Sequence, residues 1–194
     1  MTALPKKRKY TPEEYLASEE KAEYKSEYVN GCIFKLAGGT EAHNDITLNI
    51  ASQFKAKLRG KCKTFASDMK VWVEEAGTFF YPDVTVVCGE RKFHKGRRDI
   101  VENPTLLVEV LSQSTKEYDK NDKFLTYRNI PSFQEYVLIS QNRPAVQQFN
   151  RQPDGRWIYQ ATIGLSSEVY FESVDATLSL QEIYDLVEFE EENL

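Results

Sequence analysis

No run of apolar residues in this 194-residue sequence approaches the roughly twenty needed to cross a bilayer. The basic opening MTALPKKRKY leads into no apolar signal core. A cytoplasmic protein without a membrane partner is therefore expected. Cysteine is scarce. Cys32, Cys62 and Cys88 are odd in number, widely spaced and form no CxxC pair, which argues against a disulfide framework and a structural zinc site. Buried free thiols, acting as small hydrophobes, are the expectation. G-x-S-x-G, a Walker phosphate loop and H-E-x-x-H are all missing, so the serine hydrolase, nucleotide-binding and zincin readings lack their usual residues. Positive charge is not in excess either: 25 Lys and Arg stand against 30 Asp and Glu. The net charge of -5 gives no global attraction to nucleic acid. No repeat or low-complexity tract stands out.

What is present is ordinary for a globular chain, 41% hydrophobic and 28% charged. The length suits one domain over residues 1–194, with 1–10 as a flexible basic tail. Thr11, Pro12 and Glu14 spell a helix start with a capping box. EYVNGCIFKLAGG reads as a strand entered through Asn30-Gly31 and closed by Gly38-Gly39. Ile46, Leu48, Ile50, Phe54 and Leu58 recur at roughly helical spacing until Gly60. TFASDMKVWVEE, YPDVTVVC, TLLVEVLS and FQEYVLIS read as strands. A helix from Lys116 to about Asn129, capped by Ser114-Thr115 and stopped by Pro131, lies between the last two. PAVQQFN and GRWIYQATI form a hairpin around Pro153-Asp154-Gly155, and LSLQEIYDLV a short terminal helix. The order predicts a mixed α/β fold: a mixed central sheet flanked by helices, with a β-rich C-terminal extension.

One feature resists a purely structural account. TLLVEVLS is apolar on both sides of Glu109, the pattern of a strand covered on two faces. An ionised carboxylate there is costly unless paired or bound to metal. Asp83 stands near the start of YPDVTVVC. Neighbouring strands lie about 4.8 Å apart, so two acids facing the same way can share one divalent ion. Asp119, Lys123 and Tyr127 fall at i, i+4 and i+8, on one helix face. An ammonium projected from that face can stabilise charge on a phosphoryl oxygen. The plain alternatives are a structural ion pair for Glu109 and a surface helix pair for Asp119 and Lys123. Tyr127 and Tyr136 suit packing positions with polar tips. The basic run RKFHKGRR, residues 91–98, is either a solvated loop or a grip for phosphates.

EYVNG (27–31), His43, YPDVTVVC, NPTLLVEVLSQST, the spaced Asp119 and Lys123, Tyr127 and FQEYVLIS together resemble the Uma-type restriction endonuclease family, within the PD-(D/E)XK nuclease superfamily. The resemblance spans residues 11 to 187. It implies a restriction-endonuclease-like fold and a Mg²⁺-dependent endonuclease, with Mn²⁺ able to substitute, hydrolysing phosphodiester bonds in DNA. It implies Asp83 and Glu109 as metal-binding acids, the Val110 carbonyl as a further ligand, Glu27 as an additional acid beside the metal and Lys123 as the catalytic lysine. The superfamily places its lysine two residues after the glutamate; here that residue is Leu111. Either the function has moved to Lys123, or the chain is a catalytically inactive module binding nucleic acid or a protein partner. His43 matches a recurrent family histidine without an evident role. By analogy with nucleases of this fold, a homodimer is expected.

Overall fold

The structure, a computed structural model, describes residues 8–112 and 115–189. Helix α1 (Pro12–Glu19) leads to β1 (Ser26–Val29), β2 (Cys32–Lys35) and α2 (Glu41–Lys57). Then come β3 (Cys62–Ala66), β4 (Lys70–Val73), β5 (Thr78–Phe80), β6 (Val84–Cys88), β7 (Ile100–Val101) and β8 (Leu106–Leu111). A helical stretch follows: α3 (Lys116–Tyr118), a π-helical turn (Asp119–Lys123) and α4 (Phe124–Tyr127). The chain continues through β9 (Glu135–Ser140), β10 (Ala145–Arg151), β11 (Trp157–Ile163), β12 (Glu168–Phe171) and β13 (Ala176–Ser179) to α5 (Leu180–Ile183).

The expected mixed α/β fold is present, with the strands divided between two mixed sheets and a small third one. Six strands run in the order β11-β10-β9-β8-β6-β3, and five in the order β2-β1-β5-β4-β7. β12 and β13 pair separately. β8 lies inside the six-stranded sheet, antiparallel to β6 and parallel to β9. Both of its faces are covered. Val108 and Val110 join Val84, Val86, Val137 and Ile139 against Ile46, Ile50 and Phe54 of α2. Leu107 and Leu111 face the other way, into a core with Val71, Phe80, Phe124 and Tyr127. All six residues of LLVEVL are buried, as the apolar pattern on both sides of Glu109 requires.

Local rules account for much of the rest. The Thr11–Glu14 capping box is formed at α1, and Ser179 with Glu182 makes a second at α5. EYVNGCIFK is a hairpin rather than one strand: Asn30 and Gly31 take positive φ, the turn that joins β1 to β2. Glu27 thus sits on the first strand, not before it. TFASDMKVWVEE likewise divides into β3 and β4, in different sheets. In α2 the buried stripe is Ile46, Ile50, Phe54 and Leu58; Leu48 is exposed, two residues being about 200° around a helix. Of the proposed Ser114-Thr115 cap, Ser114 lies outside the described residues, and Thr115 makes no capping bond.

The expectation of free thiols is corrected for two of the three cysteines. Antiparallel pairing of β3 with β6 sets Cys62 opposite Cys88, and the two form a disulfide. Cys32 is a free thiol. Among the described residues no helix is long and apolar enough to cross a membrane.

Candidate active site

Two backbone facts bring the acids together. The β6–β8 register pairs Val84 with Val108, so one further step sets Asp83 across from Glu109, and a second sets Pro82 across from Val110. Facing residues of an antiparallel pair project to the same side. Proline has no N–H to offer the Val110 carbonyl. The Asp83 side chain, rather than a main-chain carbonyl, takes the Val110 N–H, its Oδ2 accepting it at 2.7 Å. Its Oδ1 lies 3.1 Å from His43 Nε2.

His43 reaches that position from the first turn of α2. Thr40 caps the helix, its Oγ1 accepting the His43 N–H at 3.2 Å. Gly39 lets the imidazole lie against the loop, since a Cβ there would come within 2.9 Å of His43 Cδ2. His43, whose role is not evident from the sequence, thus has Asp83 as its partner.

Glu109 is buried beneath the helical stretch. Its Oε1 accepts from Lys123 Nζ at 3.2 Å and from the Tyr127 hydroxyl at 3.1 Å. Lys123 Nζ is also 3.0 Å from Glu27 Oε1 and 3.5 Å from Asp119 Oδ1. Glu27 Oε1 in turn accepts the Tyr81 N–H at 3.1 Å. Four residues named from the sequence, Asp83, Glu109, Lys123 and Glu27, are therefore within one constellation. Asp119 and Lys123 are no surface pair: they are 3% and 5% exposed. The π-helical turn spans them, and the Tyr136 hydroxyl donates to the Asp119 carbonyl at 3.0 Å within it.

Charge is unbalanced here. Three buried carboxylates, Glu27, Glu109 and Asp119, share one ammonium. Burial pushes the Glu109 carboxyl well above its ordinary value; Lys123 opposes the shift, and the charges of Asp119, Asp83 and Glu27 add to it. Burial would lower the Lys123 ammonium, yet Glu109, Glu27 and Asp119 outweigh it and raise the group well above its ordinary value. Asp83 is raised by burial, against the pull of His43, the Val110 N–H and Lys123.

A cleft of about 420 Å³ opens onto these groups, lined by His43, Asp83, Glu109, Val110, Asp119 and Lys123 among others. Among the described residues, no three His, Cys, Asp or Glu side chains are grouped as a ready ligand set for a metal ion. Asp83 and Glu109, which line the cleft with Val110, could hold a hard cation with water completing the shell. That suits Mg²⁺, which is held by one or two carboxylates and keeps several waters.

The basic run 91–98 does not line this cleft. Lys95 pairs with Glu13 at 2.7 Å, and Arg97 pairs with Asp99 and Glu20. Buried His94 contacts Glu102 at 2.8 Å. Lys95 and Arg97 of this run, expected as either a solvated loop or a grip for phosphates, are thus matched by acids of the same chain.

Over residues 12–183 the chain matches the family described as Uma2, putative restriction endonuclease. It is 39% identical over 162 residues to the uncharacterized protein sll1609 of Synechocystis sp., covering 83% of this chain and 92% of that protein. It is 33% identical over 180 residues to the uncharacterized protein slr1290 of the same organism, covering 91% and 92%. A crystal structure described as a putative nuclease belonging to DUF820, from Anabaena variabilis, superposes with a TM-score of 0.74. It covers 90% of this chain and 97% of that one at 17% identity, a likeness of fold.

Proposed function

The chain belongs to the Uma2 family, and on that premise we propose that it is a divalent-metal-dependent endonuclease hydrolysing phosphodiester bonds in DNA, two copies acting on the two strands. Membership in this family and a fold shared with a nuclease-like structure support the nuclease reading. The observation that carries the chemistry is the excess of buried negative charge around Asp83 and Glu109. Three acids on one ammonium, with a fourth across the strand pair, are stable together when a cation or a proton offsets them.

Asp83, Glu109 and the Val110 carbonyl would hold Mg²⁺, or Mn²⁺ in its place. When bound, such an ion polarises the scissile phosphate and acidifies a water. The chain's own groups do the remainder. Lys123 offsets charge developing on a phosphoryl oxygen. Glu27 and Asp119 hold that ammonium above Glu109, and the Tyr81 N–H fixes Glu27. His43 and the Val110 N–H fix the two oxygens of Asp83. Leu111 packs in the apolar core and has no chemical part; the cation comes from the helix instead.

Leu111 also favours a second reading, a nuclease-fold module that binds without cutting. Nicking of supercoiled plasmid separates the two. The parent should nick with Mg²⁺ or Mn²⁺ and not with a chelator, while Asp83→Asn and Glu109→Gln, folded by circular dichroism, should not. A parent that binds DNA yet never nicks it would leave only the binding module.

A further inference from the structure

The six-stranded sheet ends in two unlike edges. At one end β3 is five residues long, carries Lys63 and is tied to β6 by the disulfide. At the other, β11 runs seven residues, WIYQATI, without a charge, a proline or a glycine. The five-stranded sheet ends in β2, four residues closing on Lys35, and in the two-residue β7. Short strands and charged side chains are the usual protections of a sheet edge. β11 has neither.

Exposed apolar side chains recur on this strand and just after it. Ten large hydrophobic side chains are exposed among the described residues, and five of them, Ile158, Tyr159, Ile163, Leu165 and Tyr170, lie between residues 158 and 170. Ile158, Tyr159 and Ile163 lie on β11 itself, Leu165 just beyond it and Tyr170 on β12 of the separate two-stranded sheet; three exposed apolar side chains on one edge strand suit an interaction surface.

We propose that β11 is the edge through which two copies of this chain pair, antiparallel about a twofold axis at Gln160, joining their sheets. The strand's chemistry selects a second copy as the occupant. Full overlap of Trp157–Ile163 about that axis sets Ile158 against Thr162 and Trp157 against Ile163, with no charge on either side. The charges flanking the strand, Arg156 and Asp154, lie at its N-terminal end and pair with each other at 2.7 Å. In the antiparallel arrangement they meet the uncharged GLSS at the C-terminal end, so like charges are not opposed. Main-chain bonds then satisfy both edges at once, and the isologous contact closes without leading to a fibre. The pairing names the surface for the homodimer of the reading above but uses none of its chemistry, so mass measurements and cleavage assays can fail separately.

Sedimentation equilibrium of the full chain at micromolar concentration is the test. The parent should weigh twice the chain mass. Ile158→Lys with Thr162→Lys places like charges opposite each other across the twofold axis and should give the single mass with an unchanged circular dichroism spectrum. Ile158→Lys with Thr162→Glu places opposite charges there and should restore the doubled mass. A parent of single mass, a doubly lysine-substituted chain that stays paired, or a Lys/Glu chain that does not pair would each overturn the proposal.

Discussion

The carboxylate of Asp83 takes the Val110 N–H at 2.7 Å, at the point where Pro82 interrupts the β6–β8 ladder. A local sequence feature, Pro-Asp, thereby sets a non-local geometry. Proline ends the main-chain pairing, aspartate replaces it with a side chain, and the acid is held beside Glu109 at the mouth of the cleft. Aligned acids on adjacent strands follow from register, since a one-residue slip of either strand would turn its carboxylate to the other sheet face.

Lys123 should be indispensable to the fold near neutral pH. Lys123→Met leaves Glu27, Glu109 and Asp119 without their ammonium, a loss of about 3–5 kcal/mol for a broken buried pair. The sign with pH is definite. Glu109 already binds its proton more tightly in the native state than in the unfolded one. Stability is therefore lost as pH rises from the ordinary glutamate value through the raised one. Without Lys123 that dependence should steepen, and acidification should recover part of the loss. Urea unfolding of parent and variant across pH checks this; a deficit independent of pH would contradict it.

His43→Ala should release Oδ1 of Asp83 without disturbing the core. Loss of a group that orients a metal ligand typically costs about 10–100-fold in metal affinity. Gly39→Ala, which crowds the imidazole through a Cβ at 2.9 Å from Cδ2, should act in the same direction. Calorimetric titration with Mn²⁺ gives the answer, and parental affinity in both variants would show that the histidine does not position Asp83.

Reduction of Cys62–Cys88 should lower the melting temperature while sparing the site. The two residues are 26 apart in sequence, for which loop closure in the unfolded chain corresponds to about 3.5 kcal/mol. Scanning calorimetry with and without reductant, with Cys62→Ser plus Cys88→Ser as control, measures it. Equal midpoints would mean that the bridge adds nothing.

Glu135 offers a contrast, an acid that is buried and fully employed. Its Oε2 accepts from the Ser173 N–H at 3.0 Å and hydroxyl at 2.7 Å, and its Oε1 accepts from Gln148 at 2.8 Å. Burial nonetheless raises its pKa. Glu135→Ala should destabilise the junction of the 3₁₀ turn at Glu172–Val174 with β9 by about 1–3 kcal/mol, since the Ser173 and Gln148 donors lose their acceptor. It should leave metal binding unchanged. A large change in Mn²⁺ affinity would show that the two buried acids are coupled.

What the sequence made legible follows from range. The apolar pattern around Glu109 announced a strand covered on both faces, and the capping box at Thr11 announced a helix start, because each is decided within a few residues. Asp83 and Glu109 could be paired in advance because one step of strand register relates them. The Cys62–Cys88 bridge could not, since nothing local says which strand lies beside β3. For the same reason Glu27 entered the site on resemblance alone, and its contact with Lys123, which joins β1 to the helical stretch, had no local signal. The π-helical turn at Asp119–Lys123 has no signature in DKNDK, and Glu13 and Glu20, which pair with Lys95 and Arg97, come from the distant α1 region.

The central claim, a divalent ion shared by acids of two neighbouring strands, is tested most directly by a crystal soaked in Mn²⁺ and measured for anomalous scattering. The account predicts one strong peak within bonding distance of Asp83, Glu109 and the Val110 carbonyl, absent in Asp83→Asn crystals. A peak bound elsewhere, or none in crystals of a preparation that nicks DNA with Mn²⁺, would contradict it.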